Sequence, residues 1–98
     1  MANGKELIMP AARREASQRL SRIEGQIKGI RKMVEEGRYC VEVLGQISAV
    51  HEALRGVGKL IMRNYLENCA TTSLRSGSKK KVQETYRELM DVIYKFAK

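Results

Sequence analysis

The chain has 98 residues and a mass of 11.1 kDa, room for one small domain and too little for two. Lys and Arg number 19 against 11 Asp and Glu, a net charge of +8, and a hydrophobic share of 43% excludes a disordered tail. With one Pro, one Phe and no Trp, aliphatic side chains on a helix-favouring backbone must build the core, so the expected class is all-α. A helical chain this short buries modest area alone, and self-association is the expected means of completing it. No apolar run approaches the roughly 20 residues of a membrane span, and the start lacks a secretory apolar region. A cytoplasmic protein with no membrane partner is expected, where two Cys point to metal or redox chemistry rather than a structural disulfide.

Residues 1–9 lack periodicity and read as a mobile arm. Pro10 suits the first turn of a helix, where its missing N–H costs nothing. From there Leu20, Ile23, Ile27, Ile30 and Val34 recur at spacings of three and four and form one apolar stripe. Glu15–Arg19, Glu24–Lys28 and Arg31–Glu35 are i,i+4 pairs that support the opposite face. Gly37 reads as the stop, so the first helix is expected over about 10–36. The second is expected over 39–69, with Cys40, Leu44, Ile47, Val50 or His51, Leu54, Val57 or Gly58, and Ile61 as its stripe. A turn-rich linker is expected over 70–80. Ser78 is a candidate cap for a third helix over 79–97, striped by Val82, Tyr86, Leu89 or Met90, Ile93 and Phe96 or Ala97. Residues 10–98 together are expected to form a single helical domain.

Gly25, Gly29, Gly45, Gly56 and Gly58 fall inside the first two helices, at roughly 1 kcal/mol each relative to Ala, which points to close helix approach or to drift in a bundle stable enough to tolerate them. Charge is uneven along the chain. Residues 1–38 and 70–98 each carry +4, while 39–69 are neutral. A neutral middle suits burial between chains. The basic flanks suit either an outer surface facing a polyanion or a merely solvated face.

The two cysteines carry the chemistry. Cys40 and Cys69 are 29 residues apart on one expected helix, so ~43 Å separates them along a straight axis. At about 100° per residue they share nearly one face, at opposite ends. Two copies packed antiparallel about a twofold axis near Leu54–Arg55 bring Cys40 of one level with Cys69 of the partner subunit. Such a dithiol fits oxidation or sulfur transfer, or a Cu(I) ion held by two thiolates; two buried core cysteines are the plain alternative. A zinc site needs four ligands, and His51, the only His, lies about 16 Å along the helix from Cys40. The place for a third ligand, one turn before Cys69, holds Tyr65. One His, no phosphate loop and no paired-carboxylate motif leave nothing to run turnover, so no enzyme is expected.

The segment Arg19-Leu-Ser-Arg-Ile-Glu-Gly-Gln-Ile-Lys-Gly-Ile-Arg-Lys-Met-Val-Glu-Glu-Gly-Arg-Tyr-Cys40 resembles the first-helix motif of the CsoR/RcnR/FrmR family of bacterial repressors. Gln46-Ile-Ser-Ala-Val-His-Glu-Ala-Leu54 and Asn64-Tyr-Leu-Glu-Asn-Cys69 continue the likeness. The resemblance implies a three-helix protomer, an antiparallel four-helix bundle dimer and a dimer-of-dimers homotetramer. It also implies repression of transcription on double-stranded operator DNA, relieved when an inducer engages the intersubunit site.

Copper sensors of the family place a His 25 residues after the first Cys and four before the second. Here that position is Tyr65. Nickel and cobalt sensors use several His that this chain lacks, and formaldehyde sensors need a Pro where Ala2 stands. The Cys pair without His is similar to the CstR branch, which implies a persulfide or polysulfide inducer that joins Cys40 to the partner's Cys69, and no resident cofactor. Cu(I) sensing by the same thiolates is the alternative, and a helical-bundle adaptor for proteins is the reading from another class. Tyr39 corresponds to a Tyr beside the first Cys, Tyr65 neighbours Cys69, and Glu84 or Glu88 corresponds to an acid on the third helix. For DNA contact the reading selects Arg13, Arg14, Arg19, Arg22 and Lys28, with Arg55 and Lys59 behind them, through phosphates and DNA shape more than base edges.

Overall fold

The computed structural model describes residues 8–96. Among them every regular element is helical: α1 (Pro10–Glu35), α2 (Cys40–Asn64), a π-helical segment (Tyr65–Ala70), α3 (Thr71–Leu74) and α4 (Lys79–Phe96). Apart from Ile8 and Met9, the expected arm lies outside the described residues, as does the expected end of the third helix at residue 97. No described helix is long and apolar enough to cross a membrane. The contacts divide the chain into two compact units, Pro10–Met62 and a second one from Arg63 onward that includes Met9.

In the first unit, α1 and α2 form an antiparallel hairpin around Ala16, Ile23, Val50 and Val57, with Ile30, Ala53, Leu60 and Ile61 packed against them. The turn between them follows from one residue. Gly37 adopts φ +70°, the left-handed region that a side chain strains to reach. Its N–H reaches the Val34 carbonyl at 3.1 Å and the Arg38 N–H reaches that of Met33 at 3.0 Å, the paired bonds of a Schellman stop. The Tyr39 carbonyl then accepts from the Glu42 and Val43 N–H groups and starts α2.

The seam is narrow. Leu20, Ile27 and Val34 on α1 and Leu44 and Leu54 on α2 remain 41–62% exposed, although all five belong to the expected stripes. At Gly25, Gly29 and Gly45 no close helix approach is found, since a Cβ there would meet nothing within 4 Å, whereas at Gly56 it would meet the Arg19 guanidinium at 3.3 Å.

The second unit departs from expectation. The second helix does not run as one α-helix to Cys69, and the expected linker is helical as far as Leu74. Side chains that bond to backbone carbonyls explain both differences. The Asn68 amide donates to the Asn64 carbonyl at 3.2 Å, and the Thr72 hydroxyl donates to the Asn68 carbonyl at 3.3 Å. Leu66 O receives both the hydroxyl and the N–H of Thr71, the latter in the i→i+5 register of a π-turn. The chain breaks only over residues 75–78. There Gly77 turns at φ +80° and Ser78 caps α4, its Oγ accepting from the Lys81 N–H at 3.3 Å. Ala70, Ser73 and Thr85 are buried in this unit, where α3 packs against the π-helical segment and α4.

Gly37→Ala places a side chain in the left-handed region and is expected to cost about 1–2 kcal/mol. A lower urea midpoint at fixed protein concentration measures it; an unchanged midpoint refutes the role given to this turn.

Candidate functional site

The two thiols sit in unlike surroundings. Cys40 is the first residue of α2 and is exposed; Cys69 lies within the π-helical segment and is buried, at 3%. The π-turn also changes the rotation per residue, so the equal phase expected for the two along a straight α-helix does not carry through 65–70.

Around Cys69 the second unit supplies a polar framework. One turn before it, Tyr65 donates its hydroxyl to Glu88 Oε1 at 2.7 Å, joining the π-helical segment to α4. That contact separates the two acids the sequence left open: Glu88 engages Tyr65, while Glu84 is exposed one turn earlier on α4. Burial raises the Tyr65 pKa first, then the hydrogen bond to Glu88 and the negative charges of Glu88 and Cys69, so the phenol stays protonated well above its ordinary range. A neutral phenol whose proton is committed to a carboxylate is a hard, occupied group beside a soft thiol.

Asn64 was not singled out by the sequence reading. It is buried, and its side-chain oxygen accepts the Met9 N–H at 3.0 Å and the Asn68 amide at 3.4 Å. The signal for it was the run of Asn64, Asn68, Thr71 and Thr72 at one-turn spacing, residue types that bond to the backbone. Tyr39, by contrast, is 70% exposed, and only its carbonyl takes part in the α2 start described above. His51 is exposed on α2, and no group of three or more metal-ligating side chains occurs among the described residues.

The basic candidates are all on the first unit's surface. Ala11, Arg14, Glu15, Gln18, Arg19 and Arg22 line an open groove of about 450 Å³ along α1. Three of the five selected α1 cations therefore share one concavity, and Arg19 is held there by Glu15 at 2.7 Å. Arg13 and Lys28 are exposed on the same helix, and Arg55 and Lys59 are exposed on α2.

The family model for metal-sensitive transcriptional repressors matches residues 12–95. The chain belongs to that family. It is 40% identical over 84 residues to the copper-sensing transcriptional repressor CsoR of Bacillus subtilis, covering 86% of this chain and 80% of that one. It is 46% identical over 61 residues to the copper-sensing transcriptional repressor RicR of Mycobacterium tuberculosis, covering 62% and 64%. The crystal structure of the copper-sensing repressor CsoR with Cu(I) from Geobacillus thermodenitrificans superposes with a TM-score of 0.80 at 43% identity, over 92% of this chain and 91% of the other. The protein is thus an all-α transcriptional repressor of the metal-sensing CsoR family and not an enzyme.

The raised Tyr65 pKa has a consequence for this repressor's stability. The folded state holds that proton more tightly than the unfolded chain, so its contribution is complete below the ordinary value of 10 and declines as pH rises beyond it. Tyr65→Phe is expected to flatten that alkaline decline in denaturant titrations. An equally steep decline in the variant would show that the phenol does not cause it.

Proposed function

We propose that the chain represses transcription from the cytoplasm as a homotetramer, a dimer of antiparallel four-helix dimers, with residues 10–98 acting as one repressor domain. It holds double-stranded operator DNA through the basic face of α1 and releases it when Cu(I) is bound between Cys40 of one subunit and Cys69 of the partner subunit. The observation that carries the Cu(I) reading is the likeness, at about 40% identity over most of the chain, to repressors named copper-sensing, joined to the retention of two thiols. Thiolates are soft ligands suited to Cu(I), and each sheds its proton on binding. The uncovered apolar side chains of α1 and α2 support a second copy lying along the hairpin.

On the DNA side, Arg14, Arg19 and Arg22 face phosphates along the α1 groove, with Arg13 and Lys28 beside them and Arg55 and Lys59 on α2. Contacts of this kind release counterions, so affinity falls steeply with salt. An inducer coupling of about 2–3 kcal/mol, roughly 30- to 150-fold in affinity, is enough to free an operator.

One observation favours a second inducer. Tyr65 offers no nitrogen beside Cys69, and a dithiol alone serves persulfide chemistry as in the CstR branch. The exposed Cys40 thiolate takes the outer sulfur of a persulfide and a thiolate leaves. The Cys69 thiolate of the partner subunit then displaces hydrosulfide, leaving a disulfide across the interface.

Cys40→Ala is expected to bind operator DNA as wild type does and to stay bound when Cu(I) is added anaerobically, whereas the wild type loses about 30- to 150-fold in affinity. Release from the variant equal to wild type removes the thiol pair from the mechanism. If polysulfide frees the wild type and Cu(I) does not, the second inducer is the correct one. Replacing Arg14, Arg19 and Arg22 together by Ala is expected to make the dependence of affinity on salt shallower; an unchanged slope refutes the groove as a phosphate surface.

A further inference from the structure

The polar side of α1 carries one residue that the cations around it do not explain. Arg14, Gln18 and Arg22 stand four residues apart on one stripe. Gln18 lies roughly 160° around the helix from Ala16 and roughly 140° from Ile23, the two buried residues of α1. A second copy covering the apolar stripe would therefore leave this side of α1 open. The stripe lines the α1 groove with Ala11, Glu15 and Arg19, and Arg19 is engaged by Glu15 at 2.7 Å. Arg14 and Arg22 make no ion pair with a described residue, and the Gln18 amide is exposed and makes no hydrogen bond with one.

An uncharged amide between two free cations can do what the cations do not. Eight residues of α-helix place Arg14 and Arg22 ~12 Å apart along the axis, comparable with the ~12 Å width of the major groove of B-DNA. With their guanidinium groups on the two phosphate walls, the side chain midway between them faces the groove floor. Phosphate contacts fix position and carry no sequence information, whereas base edges do. A glutamine amide matches one edge well: its NH2 donates to adenine N7 while its carbonyl accepts from adenine N6. We propose that Gln18 is a base-reading residue, pairing with the major-groove edge of an adenine while Arg14 and Arg22 hold the phosphates on either side. The inference rests on the DNA-binding reading above and adds to it a source of sequence specificity. Gln18 carries no charge, so it contributes to the choice of sequence and not to the salt dependence.

The test lets the full-length protein select sites from a pool of duplexes with a randomised centre. Wild type is expected to fix an A·T pair at a position where Gln18→Ala accepts any base pair. On the wild-type motif, Gln18→Ala is expected to lose about 5- to 150-fold in affinity with an unchanged salt slope. Replacing that adenine by 7-deazaadenine, which lacks the N7 acceptor, is expected to weaken wild type and to leave Gln18→Ala unaffected. Gln18→Lys is expected to move the preference at that position to G·C, a gain that misfolding cannot produce. The proposal is overturned if Gln18→Ala weakens all duplexes alike or selects the wild-type motif unchanged, or if wild type binds duplexes without enriching any sequence. In each of those cases the hold on DNA through phosphates still stands. A wild type that binds no duplex removes the DNA-binding reading and this inference together.

Discussion

A hairpin of two helices can bury only the seam where they touch, and here the seam is four side chains wide, Ala16, Ile23, Val50 and Val57. Leu20, Ile27 and Val34 of the α1 stripe and Leu44 and Leu54 of the α2 stripe are left facing outward, and aliphatic surface in water is the least stable part of such a protein. At about 25 cal/mol per Å² of apolar area, the gain from covering those leucines and isoleucines exceeds anything the exposed ion pairs supply. The proposed self-association would cover that stripe, and the proposed intersubunit thiol pair depends on it.

The proposed sensing site lies partly where ordinary helix geometry is abandoned. The first unit obeys it throughout: Pro10 at the start, Gly37 at the stop, 3.6-residue spacing between, cations on the outer face. The segment from Asn64 to Thr72 does not. Its polar side chains take over backbone carbonyls and widen one turn, with Cys69 and Asn64 buried, Tyr65 half-buried and every described buried side-chain polar atom partnered. Wide turns of this kind occur most often at functional sites, and this one carries the thiol.

Much of the fold was legible in the sequence because it follows from residue types with a single physical meaning. The all-α class came from composition and spacing, the first turn from Gly37, and the last helix start from Ser78. The π-turn was not legible, because Asn and Thr were read as linker formers when their side chains in fact bond back along a continuing helix. The cysteines were legible as the candidate thiols, but not their difference in exposure, which depends on tertiary packing around Cys69. The choice between Glu84 and Glu88 could not be made from spacing, since the two stand one turn apart and only the reach of the Tyr65 hydroxyl separates them.

The wide turn also has an evolutionary reading. An insertion or deletion of one residue between 65 and 70 would swing Cys69 by about 100° around the axis while leaving charge, stripes and caps untouched. Two chains with the same letters at 65 and 69 can thus point their sulfurs in different directions. Keeping this device requires the side chains that grip the carbonyls of Asn64, Leu66 and Asn68, and not the thiol alone.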